Sequence, residues 1–319
     1  MSSVAVVGGG LVGSLLACIL AKRGFTVSLY EMRDDIRTME VVKGKSINLA
    51  LSERGRSALR LLDLEDEVIN KHSIPMQARL IHDKNGKRRP IPYGKQGQCI
   101  YSVGRRYLNE VLLNAAKEYS NLKIYFNHKL VSCNFDDGKL SFMCDGKLVT
   151  VSADIIIGAD GAHSAVRREM IKRTPIDFSQ TYIEHGYIEL CIEATHENNF
   201  AMEVNYLHIW PRNTFMVIAL PNQDKSYTVT LFMPFTQFQK LKSADDLINF
   251  FEYNFPDAVQ LIGREKLIQD YFNSTPSALI SVKCKPYNFG KRALLVGDAA
   301  HAMVPFFGQG MNCVSLKET

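Results

Sequence analysis

The sequence predicts an α/β protein in which a domain built on a parallel sheet is interrupted by an inserted antiparallel sheet. Three features predict it. The first thirty residues hold a glycine-rich βαβ unit. From about Tyr182 to Pro234 the chain runs in long segments of alternating apolar and polar residues. Near the end, Ala293-Leu294-Leu295-Val296 is a wholly apolar run that returns the chain to buried parallel sheet.

In the opening unit, Val4 to Val7 is a short β-type run and Gly8-Gly9-Gly10 a turn. Leu11 to Lys22 carries small and apolar residues at helical spacing, and Thr26 to Tyr30 is a second strand ending at Glu31. Gly8, Gly10 and Gly13 spell G-x-G-x-x-G, and Glu31 follows Gly10 by 21 residues. Glycines at such a turn let the backbone approach a pyrophosphate, which the helix N-terminus stabilises, while the carboxylate accepts a ribose hydroxyl. A bare glycine turn would need neither the second strand nor the acidic residue. The pattern points to an adenine dinucleotide and a Rossmann-like domain without saying which dinucleotide.

Lys123 to Phe126, Lys129 to Cys133, Leu140 to Cys144 and Leu148 to Val151 read as short strands between Asn, Asp and Gly turns, followed by the buried strand Ile155 to Ile157. The alternating region supplies strands Tyr187 to Ile192, Tyr206 to Trp210, Thr214 to Leu220 and Tyr227 to Phe232, punctuated by Pro211-Arg212-Asn213 and Pro221-Asn222. Thr236 to Asn254 reads as one amphipathic helix.

Composition narrows the function classes. At 319 residues the chain is about twice a typical domain of ~150 residues, and 46% hydrophobic with 22% charged residues excludes a disordered chain. A net charge of +5, from 38 basic and 33 acidic residues, is too slight for a nucleic-acid footprint. The 7 cysteines are scattered, without a CxxC pair or a neighbouring ligand histidine, so they read as reduced thiols and no metal is expected. No apolar run is long enough for a membrane span, and the apolar start is too short for a signal peptide.

Two further motifs follow in order. Ile155 to Gly158 leads through Ala159-Asp160-Gly161 to Ser164 and Arg167; Ala293 to Val296 leads through Gly297-Asp298-Ala299-Ala300-His301 to Pro305 and Gly308-Gln309-Gly310-Met311-Asn312. Together with the first motif, this set resembles the flavin-dependent aromatic hydroxylases that have one FAD-binding domain. Lys45 to Gly55, Ile74 to His82, Ile91 to Gly94, Tyr206 to Arg212 and Val304 to Asn312 extend the resemblance to the members that hydroxylate L-kynurenine. It runs from residue 4 to about 312.

The resemblance implies NADPH- and O₂-dependent conversion of L-kynurenine to 3-hydroxykynurenine, in tryptophan catabolism towards NAD and quinolinate, through a flavin C4a-hydroperoxide. The flavin carries the chemistry, so no catalytic side chain is expected. Gly8, Gly10, Val12, Gly13, Tyr30, Glu31, Met32, Arg33, Ala50, Arg105, Leu130, Asp160, Asp298, Gly308, Gly310, Met311 and Asn312 fall where the family meets its cofactors. Among them the Asp160-Gly161 turn supports the FAD and NADPH regions. Asp298 takes a ribose hydroxyl, and the turn before Asn312 presents backbone N–H groups to the flavin. Arg79 would clamp the substrate carboxylate, with Tyr93 hydrogen-bonding to it.

Composition alone leaves Arg79 open as an exposed strand arginine and Tyr93 as a turn aromatic on the surface. His301 reads as a helix-start or packing histidine, Trp210 as core or pocket wall, and Met303, Phe306 and Phe307 as pocket lining or core. The expected division is discontinuous: 1–77, 97–175 and 275–319 bind FAD, and 78–96 with 176–274 form a substrate domain. The family continues into a C-terminal helical region and a hydrophobic anchor on the mitochondrial outer membrane. The chain as written is expected to lack both and to be soluble or cytosolic. A truncated FAD-binding protein without turnover and a related aromatic-acid hydroxylase are the alternative readings.

Overall fold

A central strand, Ser3–Val7, organises the first sheet, pairing in parallel with Thr26–Tyr30 on one side and Ile155–Gly158 on the other. The computed structural model describes residues 2–40, 48–308 and 310–314. Lys45, Ser46, Ile47, Gln309 and residues 315–319, which belong to segments quoted above, lie outside the described residues, as does the side chain of Phe307.

Leu122–Tyr125 extends the sheet beyond Thr26–Tyr30, and Ala293–Leu295 extends it in parallel beyond Ile155–Gly158, with Asn288–Phe289 as an antiparallel edge. Val4, Val6, Val27 and Leu29 are buried because the Leu11–Lys22 and Arg105–Lys117 helices pack on that side. The short strands expected after Lys129 are Lys129–Asn134, Lys139–Cys144 and Lys147–Ser152, which pair into a three-stranded antiparallel sheet. A second small sheet, Asn48–Leu51 with Ile100–Gly104 and Ser73–Met76, has no counterpart in the sequence reading.

Among the described residues the inserted sheet has seven strands, and it corrects the expectation of a purely antiparallel one. Ala78–His82 joins it parallel to Tyr206–Arg212, so distant segments of chain meet there. Asp177–Ile192 starts before Tyr187 because its first half pairs with Ser277–Lys285, where exposure on both faces erases the apolar alternation. Ser277–Lys285 therefore belongs to this sheet, although its residues fall in the expected 275–319 segment. Pro211 and Arg212 are strand rather than turn, and the chain reverses at Asn213, whose φ of 50° is left-handed.

The single helix expected from Thr236 to Asn254 is two, Phe235–Phe238 and Ala244–Asn254. Ser243 and Asp246 form a reciprocal capping box that starts the second afresh. The helices Ala244–Asn254, Pro256–Ile262 and Arg264–Phe272 cover one face of the sheet, burying Ile188, Leu190, Trp210, Val229, Leu231 and Phe251. Each such side chain contributes roughly 1.5–3 kcal/mol. Strand alternation turns the intervening residues to the opposite face.

Candidate FAD and substrate site

That opposite face and the C-terminal ends of the parallel strands enclose one cavity of about 1270 Å³. Pockets for single small molecules are roughly 300–1000 Å³. Every site residue expected from the sequence lines this space except Gly13 and Asn312.

The three motif glycines have different reasons. Gly8 holds φ +108°, and a Cβ there would stand 2.4 Å from the Ala159 carbonyl oxygen. At Gly13 a Cβ would lie 1.8 Å from the Gly8 carbonyl oxygen, so this glycine serves helix–strand packing. Gly10 is different: nothing lies within 4 Å of its Cβ position. It caps the Leu11–Lys22 helix without any side-chain hydrogen bond, leaving the helix N-terminus open to the cavity for an anion.

Glu31 Oε2 accepts from the Gly9 N–H at 2.7 Å and Oε1 from the Arg33 N–H at 3.0 Å, which holds the carboxylate at the strand end. Tyr30 stacks on Tyr125 and Phe142, and burial pushes its hydroxyl pKa up. Asp160 Oδ2 accepts from the Ala165 and Val166 N–H groups at 2.7 and 3.1 Å, capping the Ala165–Ile171 helix. Asp298 opens onto the cavity. Crowding by surrounding protein raises its carboxyl pKa against the opposing pull of Arg105 and His301.

Asn312 acts from behind the lining. Its amide donates to the Ala50 and Gly308 carbonyls at 2.8 and 3.2 Å, and its Oδ1 accepts from the Ser52 N–H at 2.9 Å. It thereby ties Gly308 to the Asn48–Leu51 strand, and Gly308, Gly310 and Met311 reach the cavity.

Arg79 and Tyr93 meet at the other end. The pairing of Ala78–His82 with Arg88–Pro92 sets Arg79 opposite Ile91, and the Tyr93 N–H donates to the Gln77 carbonyl at 3.3 Å. The guanidinium lies 4.9 Å from the Tyr93 ring centroid. Tyr93 is not a surface aromatic: its hydroxyl is buried without a hydrogen-bond partner among the described residues, and burial pushes its pKa up to about 12 despite Arg79. Arg79 faces the cavity and forms no salt bridge among the described residues. Ile209, Ile218, Leu220, Phe232 and Phe306 supply an apolar wall around them.

Trp210 is wholly buried on the helix side and donates to Asp257, so it is core. His301 borders a separate small groove rather than this cavity. Met303 and Phe306 line the cavity. His185, Glu189, Thr228 and Thr230 also line it and were not singled out from the sequence. Assigning cavity and helix sides to the alternating strands would have found them. Among the described residues no cluster of His, Cys, Asp or Glu could hold a metal ion.

Residues 1–315 match the FAD binding domain family. The chain is 60% identical over 312 residues to a kynurenine 3-monooxygenase of Anopheles gambiae, covering 97% of this chain and 64% of that protein. It is 53% identical to the kynurenine 3-monooxygenase of Drosophila willistoni, covering 97% and 69%, and 52% identical to that of Sus scrofa, covering 98% and 66%. This chain belongs to the kynurenine 3-monooxygenase family. It spans about two thirds of the length of these family members.

Solved structures agree on the fold. 2-methyl-3-hydroxypyridine-5-carboxylic acid oxygenase superposes with TM-score 0.78 at 24% identity, covering 99% of this chain and 80% of that one. PqsL, a probable FAD-dependent monooxygenase of Pseudomonas aeruginosa, superposes with TM-score 0.76 at 15% identity, covering 98% and 82%. The FAD that the family binds fits the residues present: the open cradle at Gly10, the carboxylates of Glu31 and Asp298 and the backbone at Gly308 and Gly310 border one continuous space.

Proposed function

We propose that this chain hydroxylates L-kynurenine to 3-hydroxykynurenine, with FAD bound in the cradle and NADPH and O₂ as co-substrates. The observation that carries the reading is Arg79, a cation without a salt-bridge partner among the described residues, beside Tyr93 in an apolar chamber continuous with the dinucleotide cradle. A half-buried guanidinium in such a chamber favours an acid ligand, because a carboxylate offers it charge-assisted hydrogen bonds.

In this reading Gly10, at the open start of the helix, faces the pyrophosphate, and Glu31 and Asp298 take ribose hydroxyls. Gly308, held by Asn312, and Gly310 would offer backbone to the flavin. Bound FAD would supply, with NADPH and O₂, the oxygen-activating chemistry that side chains lack. Arg79 and Tyr93 hold the amino-acid end of the substrate, while Ile218, Leu220, Phe232 and Phe306 orient the ring and exclude water. Ring, NADPH, a proton and O₂ go to phenol, NADP⁺ and water, and no side chain need act as a strong base.

The division into an FAD-binding part and a substrate part belongs to the proposal, as does the family's place at the mitochondrial outer membrane. Among the described residues no helix is long and apolar enough to cross a membrane.

The test is the flavin absorption spectrum of the purified protein, then NADPH oxidation with and without L-kynurenine and product analysis. Flavin bound with kynurenine-stimulated oxidation and 3-hydroxykynurenine is the expected result. Flavin bound without product would confine these residues to cofactor binding, and a colourless protein would defeat the reading.

A further inference from the structure

Behind the Arg79 strand, on the face away from the cavity, buried polar groups form a single chain. His208 Nε2 lies 2.8 Å from the Glu203 carbonyl oxygen, and His208 Nδ1 lies 2.9 Å from His82 Nε2. His82 Nδ1 lies 2.8 Å from Asp257 Oδ2, and Trp210 Nε1 donates to both Asp257 oxygens at 2.9 Å. His82 is 2% exposed and His208 0%.

The hydrogen count follows from donor chemistry. A carbonyl only accepts, so His208 Nε2 carries hydrogen. An ionised carboxylate only accepts, so His82 Nδ1 carries hydrogen as well. The contact between the rings needs a third, one more than two neutral imidazoles hold. Burial pushes the pKa of His208 down to about 4, which makes it the neutral ring. Burial also works to raise the Asp257 pKa, but hydrogen bonds from His82 and Trp210 outweigh it and hold the carboxyl below its usual range. The ring that faces the carboxylate is His82, so the third hydrogen of the donor count is assigned to it.

We propose that His82, held as a buried imidazolium against Asp257, is a positioning residue for Arg79 and Tyr93. The proposal rests on the kynurenine reading for its ligand.

The connection is short. His82 ends the Ala78–His82 strand that carries Arg79, and that strand meets the Tyr206–Arg212 strand in a parallel pairing, with Leu80 opposite His208. The His82–His208 contact cross-links this pair, and Asp257, on the first turn of the Pro256–Ile262 helix, fastens it to the helical layer. Glu203, whose carbonyl ends the chain, pairs through its side chain with Arg88 at 2.6 Å, on the strand that leads to Tyr93.

The other charged or titratable groups around His82 are accounted for. The Arg212 guanidinium donates to the His82 carbonyl at 3.0 Å and to the Asp83 carbonyl at 3.3 Å. The Asp83 carboxylate accepts from the Asn85 and Lys87 N–H groups, and Lys84 lies over the Tyr253 ring. Arg88 is the register partner of His82, and Tyr227 meets His208 edge-on. None of these touches a nitrogen of the His82 ring, whose partners among the described residues are Asp257 and His208. The Asp257 side chain is 28% exposed, which gives the proton a route to solvent.

When the extra proton leaves, three contacts share two hydrogens and one becomes acceptor against acceptor. Affinity for L-kynurenine should then fall as pH rises through the titration of the pair, by roughly fivefold to tenfold for one net hydrogen bond. Asp257→Asn separates charge from structure. The amide oxygen keeps one of the two Trp210 contacts, the amide nitrogen donates to His82 Nδ1, and two neutral imidazoles then satisfy every contact along the histidine chain.

The experiment uses FAD-loaded protein with ¹⁵N-labelled histidine, reading ring protonation by NMR and L-kynurenine binding by flavin absorbance across pH. Wild type should show three protonated nitrogens in the pair, and Asp257→Asn two. Binding should weaken with pH in wild type, be independent of this step in Asp257→Asn, and be weak throughout in Asp257→Ala. Two protonated nitrogens in wild type, an unchanged pH response in Asp257→Asn, or wild-type binding in Asp257→Ala would each overturn the proposal. If wild type binds no L-kynurenine at any pH, the functional reading fails by itself. Amide exchange along residues 78–93 then decides: faster exchange in Asp257→Ala, and in wild type at raised pH, supports positioning, and unchanged exchange overturns it.

Discussion

The guanidinium of Arg79 lies over the ring of Tyr93, 4.9 Å from its centroid, and both side chains face the cavity that begins at the glycine cradle. The stacking holds the planar fork with few rotamers to lose, so a carboxylate meets a preformed partner. Arg79→Lys keeps the charge and loses the fork. L-Kynurenine affinity should fall about tenfold to a hundredfold, the loss of a charge-assisted hydrogen bond, while the flavin spectrum stays that of wild type. Titration of flavin absorbance with L-kynurenine measures it. Unchanged affinity would remove Arg79 from the site.

Gly10 and Gly13 should separate cofactor binding from folding. Nothing crowds a Cβ at Gly10, whereas at Gly13 it meets the Gly8 carbonyl oxygen at 1.8 Å. Gly10→Val should therefore fold with a melting temperature close to that of wild-type apoprotein and lose FAD. Gly13→Val should lower the melting temperature of the apoprotein itself. A yellow, fully loaded Gly10→Val would contradict the placement of the pyrophosphate.

Asn312→Asp sets a carboxylate oxygen where the amide now donates to Ala50 and Gly308. Two donors are replaced by an acceptor facing acceptors, a cost of about 1–3 kcal/mol. We expect a lower denaturation midpoint and faster loss of FAD on dilution, read by flavin fluorescence. Retained FAD with native stability would mean that the tie does not hold the turn.

Alkaline stability follows from buried thiols. Burial pushes the pKa values of Cys18 and Cys133 up to about 12 and that of Cys191 up to about 11, from an ordinary 9.0. The folded chain keeps these protons while the unfolded chain loses them. Their contribution is thus fully present below pH 9.0 and is lost as pH rises towards 11 and 12. The slope is about 1.4 kcal/mol per pH unit for each thiol. Urea midpoints should fall steeply above about pH 9 in wild type, and less steeply in Cys133→Ala. Parallel slopes would assign the alkaline loss to other groups.

Much of the cofactor side was legible because its signals are local. Gly8, Gly10, Gly13 and Glu31 sit in one βαβ unit whose spacing alone places a turn, a helix start and a carboxylate together. Asp160 and Asp298 likewise follow apolar strands, and parallel strands deliver their C-terminal ends to a common edge. The substrate side was harder. Arg79, Tyr93 and Glu189 come from segments whose meeting depends on one parallel pairing, and no local pattern encodes the partner of an edge strand.

The sequence by itself determined the dinucleotide motif, the βαβ unit around it and the family, since those rest on residue types at short, regular spacings. Only the tertiary structure decided that Asn312 ties rather than lines, that Gly10 alone among the motif glycines opens on empty space, and that His82, His208 and Asp257 share a proton count. The physical reason is range. Backbone conformation and periodicity act over a few residues, whereas hydrogen-bond satisfaction and close packing depend on which distant segments the collapsed chain brings within 3 Å or so.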